Sequence, residues 1–181
     1  YPETRAAVAS QLATETGVPF TMEQVVMTCG AGGALNVVLK AILNPYDEVI
    51  IFAPYFAEFP YYVDNHGGTC CVAPTDENFL PDLVSLEKLI NHKTRAVLVN
   101  SPNNPTGAVY EHQLLLDMGR LLQEKELAYG RRIFLLSDEP YRRLIYDGLQ
   151  YNHVYPYHPT TISVTSHSKD LSLPGERIGY I

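Results

Sequence analysis

Along the chain, short continuous apolar runs alternate with longer stretches whose apolar residues recur at helical spacing. The runs fall at Val25 to Met27, Glu48 to Phe52, Thr69 to Val72, Ala96 to Val99, Ile133 to Leu136 and Thr161 to Val164. They read as buried strands, because a strand covered on both faces loses its polar alternation. Helical periodicity runs from about Glu3 to Glu15, closed by Gly17-Val18-Pro19, and returns over Gly32 to Leu43, Phe56 to Asn65, Leu83 to Asn91 and Glu111 to Glu126. Strand and helix alternate with no internal repeat or low-complexity linker, so one α/β domain is expected. Parallel neighbours need a crossover, which is nearly always right-handed, so the pattern implies a mostly parallel sheet with helices on both faces. In such a fold ligands gather beyond the carboxyl ends of the strands, and the loops there are where chemistry belongs.

Composition narrows the class. The chain has 181 residues, 46% hydrophobic and 18% charged, which suits a packed domain rather than a disordered one. Thirteen basic against 20 acidic residues give a net charge of −7. No basic run exceeds the pairs Arg131-Arg132 and Arg142-Arg143, which argues against a nucleic-acid partner. Cys29, Cys70 and Cys71 have no CxxC spacing, so neither a disulfide framework nor a metal site is expected. The apolar run Val49 to Phe52 is far too short to span a bilayer, and no charged-then-apolar leader opens the chain, so a cytoplasmic protein without a membrane partner is expected. The chain starts at Tyr1 without a methionine and stops at Ile181 within an apolar run, as a piece of a longer protein would.

Five loops follow strands. Thr28-Cys29-Gly30-Ala31-Gly32-Gly33-Ala34-Leu35 is a glycine-rich passage into a helix, with free N–H groups and a positive helix end that suit a phosphate. It is not the dinucleotide fingerprint, since position 35 is Leu, and it has no Walker lysine. A tight strand-to-helix turn would use the same glycines. Pro54-Tyr55-Phe56-Ala57-Glu58-Phe59-Pro60-Tyr61-Tyr62 is crowded with rings: Phe56, nearest the strand end, is the candidate for stacking on a flat ligand, whereas Phe59 and Tyr62 share a helix face that reads as core. Asn100-Ser101-Pro102-Asn103-Asn104-Pro105-Thr106-Gly107 is a stiff turn that could hold an amide in place. Ser137-Asp138-Glu139-Pro140-Tyr141 puts a carboxylate and a phenol after a strand, as a cap or as a functional pair. Last, Ser166-His167-Ser168-Lys169-Asp170 leads to Arg177; a loop lysine is usually a solvated residue, and only the combination raises its standing.

Together the loops offer a phosphate cradle, a stackable ring, an amide, a carboxylate with a phenol, and an amine with a guanidinium. Pyridoxal 5′-phosphate requires this set: a lysine for its Schiff base, an acid at the pyridine nitrogen and an anion site.

Asn104-Pro105-Thr106-Gly107, Asp138-Glu139-Pro140-Tyr141 and Ser166-His167-Ser168-Lys169, in that order, resemble the fold-type I, class I/II aminotransferases of the aspartate aminotransferase superfamily. The resemblance covers essentially the whole chain. It implies a three-layer α/β/α domain with a mostly parallel, roughly seven-stranded sheet, residues 1–181 being the large cofactor-binding domain. An N-terminal segment and a small C-terminal domain would lie outside it, so the isolated chain is expected to be inactive.

The resemblance further implies a homodimeric enzyme that exchanges an amino group between an L-amino acid and a 2-oxo acid. Lys169 would form the Schiff base and move the proton between substrate Cα and cofactor C4′, for which it must be uncharged. Asp138 would pair with the pyridine nitrogen. Tyr141 and Asn104 would hydrogen-bond the ring's phenolate oxygen, and Phe56 would lie on the ring face. Backbone N–H groups of Gly32 and Gly33, with Ser166 and Arg177, would hold the phosphate, Ala31 and Ser168 belonging to the same cofactor-binding set. Relatives often carry Ser or Thr in the first loop; Ala31-Gly32-Gly33 has no hydroxyl, so fewer side-chain contacts to the phosphate are expected.

Two other readings use the same motifs. One is a C–S lyase or an aminocyclopropane carboxylate synthase-like enzyme, and the other an aminotransferase-like ligand-sensing domain of a transcription regulator. His167 and the cysteines are read as packing residues, and Glu139 as ordering its own turn.

Overall fold

The computed structural model describes all of residues 1–181. Helix α1, Pro2–Thr16, has its proline in the first turn, where no N–H is missed. It ends at Gly17 in the left-handed conformation, whose N–H donates to the Ala13 carbonyl. Strand β1, Met27–Cys29, passes directly into α2, Gly30–Ile42. There follow β2 (Glu48–Phe52), α3 (Phe59–Asp64), β3 (Thr69–Ala73), α4 (Leu83–Leu89), β4 (Thr94–Asn100), α5 (His112–Tyr129), β5 (Phe134–Asp138), β6 (Thr161–Ser166), the one-turn α6 (His167–Asp170) and β7 (Ile178–Tyr180).

One seven-stranded sheet has the order β1-β7-β6-β5-β4-β2-β3. All pairs are parallel except those of β7, which runs antiparallel between β1 and β6. The expected α/β fold is present, with three differences. The first strand lies two residues later than its apolar run suggested. Strand β7 left no readable run, because it is three residues long with Gly179 at its centre. And α3 starts at Phe59 rather than Phe56, since Pro60 is tolerated only in a helix's first turn.

Side-chain alternation along the strands splits the core in two. Val49, Ile51, Ala96, Leu98, Leu136 and Val164 face Ala34, Leu35, Val38 and Leu39 of α2 and Phe59 and Val63 of α3. Ile50, Phe52, Val97, Val99 and Leu135 face Leu86 of α4 and Leu115, Met118 and Leu122 of α5. Each buried aliphatic contributes about 1.5–3 kcal/mol, so the two layers hold the sheet rigid from both sides. Because β2 and β4 to β6 are parallel, their carboxyl ends form one edge, joined there by the start of α2. No helix is long and apolar enough to cross a membrane.

Candidate functional site

A cavity of about 300 Å³ opens at that edge. It is lined by Ala31, Gly32, Phe56, Asn104, Asp138, Tyr141, Ser166, Ser168, Lys169 and Arg177, each singled out from the sequence, together with Glu58 and Tyr62. Five loops far apart in the chain thus reach one small volume.

Gly33 does not line it. With Cys29 as the N-cap, α2 leaves free only the N–H groups before Gly33. The Gly33 N–H is the first that a helix pairs, with the N-cap carbonyl, so the free donors are those of Gly30, Ala31 and Gly32. Tyr62, expected in the core, packs only partly there; its hydroxyl reaches the cavity. Phe59 is core, 2% exposed, with its ring edge-on to Phe56 at 5.6 Å.

The start of α2 is bare for a reason. Gly30 has φ +71°, a left-handed conformation that favours glycine, and a Cβ on it would stand 2.6 Å from Nη2 of Arg177. Gly179 beside it must also lack a side chain, since a Cβ there would enter the Gly30 backbone. The Arg177 guanidinium, tied at 2.9 Å to the Pro174 carbonyl, therefore lies against the first residue of α2. Helix dipole, free N–H groups and guanidinium converge into an anion site.

Asp138 ends β5, with Asn100 as its register partner on β4. Asn100 Nδ2 donates to the Asp138 carbonyl at 2.9 Å and to Oδ2 at 3.3 Å. The Asn100 Oδ1 accepts the Asn104 N–H at 2.7 Å. One buried amide thus ties the carboxylate to the Asn104 loop, a role the sequence reading missed; its signal was only that Asn100 opens the third loop. The other carboxylate oxygen, Oδ1, is buried with no hydrogen-bond partner. Burial, with a smaller push from Glu139, raises the Asp138 carboxyl to about 7. An orphaned carboxyl oxygen is costly, and a cationic N–H donor is what would satisfy it.

Lys169 is the only lysine on the cavity. It lies in α6, one turn after β6, and its Nζ is 5.9 Å from the centre of the Tyr141 ring. The Tyr141 phenol is raised, by burial first and by Asp138 second. Glu139 turns the other way: it is 1% exposed, accepts from Ser163 Oγ at 2.8 Å and lies 3.7 Å from the buried Arg142.

The model of the family "Aminotransferase class I and II" matches residues 1–181. The chain belongs to this family. It is similar to the aspartate/prephenate aminotransferase of Thermus thermophilus, 38% identical over 183 residues that cover 99% of the chain and 46% of the relative. It is also similar to the aspartate aminotransferase of Thermotoga maritima, 35% identical over 99% of the chain and 47% of the relative. A solved aminotransferase from Eubacterium rectale superposes with a TM-score of 0.97 at 43% identity, over 99% of this chain and 46% of that one. The chain thus spans about half the length of these class I and II aminotransferases.

Proposed function

We propose that residues 1–181 form the large, cofactor-binding domain of a pyridoxal 5′-phosphate-dependent aminotransferase, which exchanges an amino group between an L-amino acid and a 2-oxo acid. The observation that carries this reading is the orphaned, fully buried oxygen of Asp138, in one cavity with a single lysine amine and with an arginine laid across a bare helix start.

The residues fit the cofactor at three points. Oδ1 of Asp138 lacks the donor that a protonated pyridine nitrogen provides, and pairing would bring the carboxyl from about 7 back toward ionisation. The Gly30, Ala31 and Gly32 N–H groups with Arg177 suit a dianionic phosphate, and Ser166, which opens α6, adds a hydroxyl. Phe56 offers a ring face, Tyr141 offers a donor on the side towards Lys169, and Asn104 offers another on the cavity wall. When bound, the cofactor supplies an electron sink for the charge that develops at the substrate Cα.

The chain's own residues then do the rest. Lys169 would supply the primary amine that holds the cofactor, and once displaced there by the substrate amine it would act as the base that takes the proton from the substrate Cα and as the acid that gives it back across the imine nitrogen. Asp138, held by Asn100, keeps its carboxylate aimed at one atom through both halves of the reaction. Tyr141 donates from its phenol, which burial keeps protonated.

The named relatives are aminotransferases, which supports transfer over the lyase and regulator readings. In the full-length protein, acting as a dimer, further chain would close the open side where Lys169 and Arg177 are exposed.

The test is to mix the full-length protein with pyridoxal phosphate, reduce with borohydride and map the peptides. The added mass is expected on Lys169, and the adduct is expected to vanish in Lys169→Ala. A label elsewhere, or none, overturns the assignment. In a separate sample that has not been reduced, incubation with an amino donor should yield its 2-oxo acid and an aminated cofactor; ammonia with pyruvate would identify a lyase instead.

A further inference from the structure

The Ala31-Gly32-Gly33 stretch in the first turn of α2 carries no hydroxyl, yet a hydroxyl stands beside it. A Cβ built on Gly32 would lie 2.8 Å from the Tyr62 oxygen and 3.5 Å from the ring carbon that bears it. The phenol of α3 thus occupies the space that a side chain at position 32 would fill, next to a free N–H of the helix's first turn. Arg177 stands over Gly30 in the same way, so the two glycines of this turn are bare beneath two side chains brought from elsewhere.

Three further observations bear on what Tyr62 does. It lines the same cavity as Asp138 and Arg177. Burial first and the Glu58 carboxylate second push the phenol well above its ordinary range, so it stays a donor at neutral pH. Its hydrogen bond runs to that carboxylate, one turn earlier and exposed, so the acceptor it uses is one it can release to solvent. Meanwhile the turn that follows α3 is tied to α2 by His66 Nε2 to Asn36 Oδ1 at 3.1 Å, and Asn36 in turn donates to the Gly32 carbonyl at 2.8 Å. The backbone that carries Tyr62 is therefore anchored beside the helix start.

We infer that Tyr62 is a phosphate ligand of the cofactor site, its hydroxyl standing in for the one missing from the Ala31-Gly32-Gly33 loop, and that it passes from Glu58 to the phosphate when the cofactor binds. This rests on the cofactor reading above. Glu58 holds the phenol in place while the site is free of phosphate. The incoming dianion repels that carboxylate and takes over the proton it was accepting, with no covalent change.

The experiment compares pyridoxal phosphate with pyridoxal, which lacks the phosphate, by equilibrium titration of the full-length protein followed by cofactor absorbance. Tyr62→Phe should weaken pyridoxal phosphate roughly tenfold to a hundredfold, the range of one hydrogen bond to a charged group, and leave pyridoxal unchanged. Glu58→Ala should tighten pyridoxal phosphate alone, by removing the competing acceptor and its charge. Gly32→Ser should weaken binding in the native background, where the new side chain meets the phenol. In Tyr62→Phe it should recover phosphate affinity, because the space is open and a hydroxyl is restored.

Equal losses for both ligands in Tyr62→Phe, which packing alone would produce, overturn the inference. So does an unchanged affinity for pyridoxal phosphate, or a loss of it in Glu58→Ala. These outcomes are separable from failure of the cofactor reading itself, in which the native protein binds no pyridoxal phosphate and borohydride leaves Lys169 unlabelled; that result takes this inference down with it.

Discussion

Asp138 and Glu139 are adjacent carboxylates at the end of one strand, and their surroundings could hardly differ more. Glu139 is enclosed and answered: Ser163 donates to it, Arg142 lies beside it, and Arg142 is itself tied to the Tyr180 hydroxyl at 2.8 Å and to Glu15 at 3.4 Å. Asp138 is also buried, yet one oxygen has only a weak bond from Asn100 and the other has none. Folding does not leave a carboxyl half-answered without cost. A polar network that is complete is structure, and one that is incomplete at a cavity wall is waiting for a ligand.

The largest way to break that contrast is to remove Asp138. In the full-length protein Asp138→Ala should lower turnover by about 10²–10³-fold, the scale of losing one preorganised charge partner. Cofactor affinity should fall far less, because the phosphate site is separate. A variant that turns over normally would mean the orphaned oxygen meets no ligand. Glu139→Gln should do the reverse: it should cost about 1–3 kcal/mol in urea unfolding, by leaving Arg142 short of a buried partner. Activity per folded molecule should stay within a few-fold of native.

A pH series sharpens the same contrast. The folded protein holds a proton on Asp138 up to about 7, whereas the unfolded chain releases it near the ordinary value of 3.8. Between these values the folded state binds the extra proton, so the stability of the cofactor-free protein should fall as pH rises through this window and level off above it. Asp138→Asn should flatten that slope, and thermal melts across the window would show it; a slope unchanged in the variant belongs to other groups.

The smallest expected effect is that of Asn100→Ala, about 1 kcal/mol or a few-fold in turnover, since Asn100 orients the carboxylate without reaching the reacting atoms. Its specific signature is an upward move of the top of the same pH window, because the carboxylate loses its donor.

Much of the site could be read from the chain because the fold does the gathering. Once short apolar runs imply parallel strands, loops as distant as Phe56, Asn104, Asp138 and Lys169 must share an edge, and motif order then gives each a role to test. Gly33 shows the limit of that logic: a glycine-rich string does not reveal on which residue the helix starts, and a shift of two residues, from Gly32 to Gly30, decides which N–H groups are free. Tyr62 shows another. At helical spacing from core residues it looks like one of them, and a tyrosine's two ends cannot be separated by a binary pattern.

The sequence by itself determined the layered fold, the family and the chemical set assembled at one edge, because hydrophobic periodicity and ordered motifs are local properties of the chain. Only the tertiary structure decided which of two neighbouring carboxylates was left unanswered, that Asn100 ties Asp138 to the Asn104 loop, and that Tyr62 and Arg177 stand over two bare glycines. Those facts depend on strand register and on close approach between distant segments, and a hydrogen bond or a steric gap of a few ångströms has no periodic signature along the chain.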